Sequence, residues 1–318
     1  NYHPGYGLLL APLGWLNGND LHAVALIFNG LLAGGIVLLI AKFARRLGLP
    51  NHLVTLAAFL AAVHPSTALS SRIAWPETLI LLIILSVTLL LFANRWLIAG
   101  LVSTVAICVH PRLIVLTLAI IVTGIYIKEL KKTTLGFIVG IVVVVVVLTA
   151  TNTWPDARVQ AARSIGSGPS PIATTAGQWL AFAASSLGLC AIGLIESVKK
   201  VLGKKVEPGQ LFLVISTIAM VVLGGWVLAG SDRPDTLMYS RYIAPWTLPL
   251  SIIGLRAASQ RVGQWRTLIL VICLSVSCSA IVWLEVSEVT DPIRQIMTLD
   301  LSALWLVTTN SLTFAVFG

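Results

Sequence analysis

Apolar residues fill this chain in runs of about 20, and the charges are pushed into short connections between them. Of its 318 residues, 57% are hydrophobic and only 10% charged, at a mean hydropathy of +0.95. A soluble fold of this length does not read that way. In hydrocarbon every backbone polar group must be satisfied within the segment, so the runs must be helices. The fold class is therefore all-α, a polytopic integral membrane protein.

The charges then orient it. All eight lysines, Lys42, Lys128, Lys131, Lys132, Lys199, Lys200, Lys204 and Lys205, fall in every second connection, together with Arg45, Arg46, Arg95, Arg256, Arg261 and Arg266. The alternate connections hold seven arginines, no lysine and nine of the twelve acids. Basic loops stay in the cytoplasm, so the acidic, arginine-bearing loops are expected outside, in a plasma membrane of bacterial type. The net charge of +9 is then a topology signal with attraction to anionic lipid, and nucleic-acid binding is not read from it. Cys108, Cys190, Cys273 and Cys278 all lie inside apolar runs without ligand spacing, as buried small residues rather than a disulfide framework.

Residues 1–18 are apolar but short and broken by Pro4, Gly5 and Pro12. They suit an interfacial helix with Tyr2, Tyr6 and Trp15 in the headgroup belt. Asp20 is the expected N-cap of a span over 21–42. Further spans are expected over 52–70, with a break at His64-Pro65, and from Glu77 to Arg95. Residues 97–110 and 113–127 are each less than a full-length span and read as a shortened helical pair turning at His110-Pro111-Arg112, counted here as two of the crossings. Spans over 134–151, 175–196, 209–230, 243–256 and 267–286 complete about ten crossings. No internal repeat is detectable. The polytopic domain covers 1–290; residues 291–318 form an outer tail, with 301–318 as a last weak span or a surface helix. The loop 152–174, with SIGSGPSP, is expected to be mobile.

Four polar groups stand on the expected outer side: Tyr2-His3-Pro4-Gly5-Tyr6, Ser71-Arg72 with Trp75-Pro76-Glu77, His110-Pro111-Arg112, and Asp232 to Asp235 followed by Tyr239-Ser240-Arg241-Tyr242. Arginine forks fit phosphate oxygens, and charges near membrane depth mark ligands. Adjacent acids and imidazoles can hold a divalent cation or take a hydroxyl proton. Each has a plainer alternative. Glu77 can complement a helix dipole, His64 can be a satisfied kink residue, and His22 and His52 can sit at the interface. Arg158 and Arg163 can be solvated, Asp232 and Asp235 can form turns, and Arg112 and Arg241 can snorkel to headgroups.

The order of these pieces resembles the GT-C superfamily of polytopic glycosyltransferases, in the bacterial branch of protein O-mannosyltransferases and aminoarabinose transferases. That branch places a Y-x-P-(P/G) stretch, running into leucines and a proline, as an interfacial helix; YHPGYGLLLAP at 2–12 resembles it. AKFARRLG at 41–48 stands where the family has a small basic cluster. Ser71-Arg72 through Glu77 fits its S-R-x-x-x-x-(D/E) helix entrance. CVHPR at 108–112 fits loosely its short helical pair, and Arg241-Tyr242 through Pro245, with Pro249 beyond, its R-Y-x-x-P signature. The resemblance covers roughly residues 1–255.

What the resemblance implies is a sugar moved from a polyprenyl-phosphate donor to an acceptor glycan, lipid or protein at the outer face, with inversion. Arg112, Arg241 and Arg72 would bind the donor phosphate, and Glu77 and His3 would line the catalytic cavity. A divalent cation, Mg or Mn, stays open. The family's catalytic aspartate belongs to a first outer loop before the Y-x-P-G stretch, and this chain opens on Asn1 inside that motif. A first span and loop are therefore expected upstream, and the chain as it stands is expected to be inactive. Two rivals compete. A transporter or flippase of an anionic lipid or solute calls for broken helices and repeat symmetry, or for charges deep in the spans. A scaffold or receptor accounts for the apolar mass but not for Arg, His and Glu gathered on one side.

Overall fold

The computed structural model describes residues 4–68, 70–152, 169–230, 236–237, 239–260 and 264–284, and among these it is helical without a strand. His3 and Tyr2, Arg158 and Arg163 of the 152–174 loop, Asp232 and Asp235, and the tail 291–318 lie outside the described residues. The helices are α1 (Pro4–Leu10), α2 (Gly18–Arg46), α3 (Asn51–Val63), α4 (Pro65–Ala68), α5 (Glu77–Phe92), α6 (Trp96–Val105), α7 (Ile114–Ile127), α8 (Leu130–Thr151), α9 (Pro171–Ala184), α10 (Leu189–Leu202), α11 (Pro208–Leu228), α12 (Ala244–Ser259) and α13 (Gln264–Trp283). Single 3-10 turns occupy Ala11–Leu13, Ser70–Arg72, Ala106–Cys108, Pro111–Leu113 and Ser240–Tyr242.

Four helices are long and apolar enough to cross a membrane: Gly18–Arg46, Leu130–Thr151, Pro208–Leu228 and Trp265–Trp283. Counting two bent pairs as one span each raises the number to six. The expected ten include segments that form shorter helices here, such as Glu77–Phe92. Three of the four long helices bury little of themselves, about a fifth of their most apolar stretch (22%). Their outer faces carry Ile27, Leu31, Leu38, Ile138, Val142, Val146, Leu268 and Ile272 exposed. Continuous exposed apolar faces of that kind need a lipid environment.

The described chain divides into two compact units, 1–155 with 200–216, and 156–199 with 217–318. In the first, α2 buries Ala25, Asn29, Ile36, Ile40 and Phe43, one stripe at helical spacing. That stripe lies against α3 and α5. Helix α5 is buried on nearly every face and also packs on α6. Helices α6, α7 and α8 pack on one another. The α6–α8 crossing is close because Gly136 and Gly140 stand four apart: a Cβ on Gly136 would lie 2.1 Å from the Leu97 carbonyl oxygen. Small residues at that spacing let two backbones approach.

The lysine-bearing connections of this unit are tied at one end. Arg46 pairs with Glu207 at 3.0 Å and lies over the Phe92 ring, Lys200 reaches Gln210, and the Tyr126 hydroxyl donates to the Val201 carbonyl. In the second unit α9 packs on α13. Helices α10 and α12 touch backbone to backbone, a Cβ on Gly193 falling 2.0 Å from the Leu250 oxygen. Lys199, Glu196 and Thr267 form one hydrogen-bonded cluster there.

Three local expectations change. The first long helix begins at Gly18, not 21, because Asn17 is its cap. The Asn17 Oδ1 accepts the Asp20 N–H at 2.9 Å while its amide donates to the Asp20 carboxylate at 2.7 Å, a reciprocal capping arrangement. The span expected over 175–196 is two helices bent by 106°. Leu187 and Gly188 take positive φ, and the Gly188 N–H donates back to Ala183 O at 2.8 Å, which ends α9 in a left-handed cap. The Ser186 hydroxyl then accepts the Cys190 N–H to start α10. Tyr6 is half-buried and turned inward instead of joining a headgroup belt; Trp15, 79% exposed, does face outward.

Candidate functional site

Glu77 opens α5, one residue after Pro76, and Arg112 sits in the 3-10 turn that starts α7. The two meet: the Arg112 Nη2 donates to Glu77 Oε1 at 3.3 Å, with side chains only 5% and 2% exposed. An arginine buried to this extent is not snorkelling, and Glu77 is a counter-ion as well as a first-turn acid. His110 shapes the arginine's turn. Its Nδ1 accepts the Arg112 backbone N–H at 3.2 Å, which leaves the proton of a neutral imidazole on Nε2.

The turn before Glu77 is held from α2. The Asn29 amide donates to the carbonyls of Ile73 at 2.7 Å and Trp75 at 3.2 Å. Its own carbonyl accepts the Tyr6 hydroxyl at 3.0 Å. Asn29 is fully buried and spends both amide hydrogens and its oxygen on these partners. Burial raises the Tyr6 phenol above its ordinary value, the Asn29 hydrogen bond works against that rise, and the Glu77 charge adds to it. The phenol therefore stays protonated at neutral pH and donates. Helix α1 also touches the arginine side, since Gly5 lies so close to Cys108 and Val109 that a Cβ would fall 2.7 Å from their backbone. Tyr6, Asn29, the 73–75 turn, Glu77, Arg112, the 108–110 turn and Gly5 thus form a closed ring of contacts.

This ring lies well away from the lysine end of the same unit. From Asn29 to Phe43 along α2 is about 21 Å, and from Glu77 to Phe92 along α5 about 22 Å, at 1.5 Å per residue.

Arg72 belongs to the same unit, exposed at the end of its own 3-10 turn. His64 caps α3, and its buried ring accepts the Ser66 N–H on Nδ1 at 3.2 Å, in keeping with a kink residue. His22 and His52 are exposed. Among the described residues no group of three or more His, Cys, Asp or Glu side chains comes together to hold a metal.

Arg241 belongs to the second unit, half-buried in the 3-10 turn Ser240–Tyr242 ahead of α12. A buried glutamine braces that turn. Oriented to satisfy both groups, the Gln178 amide on α9 accepts the Tyr239 N–H at 3.1 Å and donates to the Tyr239 carbonyl at 2.9 Å. The Tyr239 and Tyr242 rings meet edge to face at 4.9 Å. Sequence reasoning missed both amides, Asn29 and Gln178. The signal was available in each: a lone amide inside an otherwise apolar run must find buried partners. No family model, no curated protein and no solved structure matches the chain.

Proposed function

We propose that this protein is a GT-C-type membrane glycosyltransferase with about ten crossings. In this reading it moves a sugar from a polyprenyl-phosphate donor to an acceptor hydroxyl at the face opposite its lysines. The observation that carries the reading is the buried Arg112–Glu77 pair within the ring of contacts at the end of its unit remote from the lysine-bearing connections. A buried guanidinium aimed by a carboxylate is preorganised for an anionic group, and fixed positive charge is worth most where water is excluded. Arg112 takes the leaving phosphate as charge develops on it, with Arg72 at the exposed edge of the same unit; for Arg241 the resemblance alone assigns a role at the donor phosphate. Glu77 orients Arg112. In the family that the chain resembles, an aspartate takes the proton of the attacking hydroxyl.

The test is transfer by the full-length protein in nanodiscs, supplied with a polyprenyl-phosphate-linked sugar, beside Arg112→Ala and Arg241→Ala. Loss of one such charge-stabilising group lowers kcat by roughly a hundredfold or more. A folded wild type that neither binds nor consumes the donor ends the reading. Transport of an anionic lipid or solute is the second reading, favoured by the 106° break between α9 and α10, since interrupted helices line transport sites. Flux into vesicles from the same preparation reads it out.

A further inference from the structure

We infer that Asn29 is a positioning residue for the Arg112–Glu77 pair and that α1 acts on the pair through it, an inference that rests on the transferase reading above. An amide in the apolar stretch VALIFNGLLAGG is unfavourable in a span unless every polar atom is satisfied. All three hydrogen-bonding positions of Asn29 are used, and on elements that flank the pair. Aspartate lacks the two donors, and leucine lacks all three groups, so the partners account for the residue type.

The mechanical path is short. The Trp75 carbonyl held by Asn29 is two residues from Glu77, and the intervening Pro76 has a ring-fixed φ. The turn is tight as well, the Trp75 N–H donating to Ile73 O at 2.7 Å. Glu77 meets Arg112 at 3.3 Å, near the outer limit of a hydrogen bond, so a shift of a few tenths of an ångström in the turn separates them. On the other side of the pair, Gly5 seats α1 on Cys108 and Val109, three residues before Arg112. Tyr6 and Gly5 are neighbours on one helix, so α1 grips both partners' supports. Its register sets where the guanidinium points.

Tyr6→Phe removes one oxygen and one hydrogen bond; Asn29→Ala removes three. In the full-length enzyme, initial rates are measured with donor and acceptor varied separately. Tyr6→Phe should raise the donor KM roughly threefold to tenfold, and Asn29→Ala should lower kcat/KM for donor roughly a hundredfold, with the acceptor KM unchanged in both. Simple loss of folded enzyme lowers Vmax and leaves both KM values in place, and that outcome, or no change at all, overturns the inference. If Asn29→Ala does not fold, Tyr6→Phe alone decides by the same donor KM. If wild type transfers no sugar, the functional reading fails by itself. The inference is then decided by amide exchange in Tyr6→Phe: faster exchange confined to residues 73–77 upholds it, and an unchanged rate there overturns it.

Discussion

Arg112 and Glu77 can be separated into what they do for the fold and what they do for a ligand. Removing one member of a buried ion pair strands the other's charge and costs about 3–5 kcal/mol. Arg112→Ala and Glu77→Leu should each lower the melting temperature in detergent, the second because it removes the carboxylate that faces a buried guanidinium. The double variant Glu77→Leu with Arg112→Met exchanges the pair for apolar groups of similar size and should recover most of that loss, without restoring the anion-binding role proposed for the pair. Single variants that melt with wild type would show the pair to be irrelevant to the fold. At this scale the sequence was half legible. Glu77 and Arg112 stood out because charges are conspicuous beside apolar runs, but 35 positions separate them, and nothing in either motif names the other as partner. Asn29 and Gln178 were hidden because their partners are backbone groups far along the chain.

At the scale of elements, hydropathy located nearly every described helix, including the short pair that turns at His110-Pro111-Arg112. It failed where apolar character continues through a bend. Ser185, Ser186, Leu187 and Gly188 are too few and too apolar to interrupt a hydropathy trace, yet two positive φ angles end α9 there. It was silent on packing too, and the glycines supply that. Gly136 faces the Leu97 carbonyl on α6, whereas Gly34 is exposed on α2 with nothing within 4 Å of a built Cβ. The same substitution must therefore act in opposite directions. Gly136→Ala should destabilise by about 1–3 kcal/mol as the crossing is forced apart. Gly34→Ala should stabilise by about 0.5–1 kcal/mol through helix propensity. Thermal unfolding of the two variants side by side checks this, and equal shifts would show that the α6–α8 approach is looser than described.

For the whole molecule the question is sidedness, and each unit taken alone poses it in the same form. In the first, the Arg112–Glu77 ring and the Arg46–Glu207 end are separated by most of α5. In the second, Arg241 precedes α12 and Arg256 lies in its last turn, about 18 Å from Ala244 along the axis. Lysine retention in the cytoplasm predicts Lys128 and Lys204 inside, and Trp15 and Asn19 outside. All four are exposed, so single cysteines there can be labelled, in a Cys273→Ser background that removes the one exposed native thiol among four. A membrane-impermeant maleimide on intact cells should modify Trp15→Cys and Asn19→Cys at once, and Lys128→Cys and Lys204→Cys only after the membrane is opened. The reverse pattern would turn the arginine site inward and overturn the orientation on which the proposed function rests. Labelling of all four from one side would mean that an even number of crossings separates Asn19 from Lys128, against the odd number that the lysine rule requires.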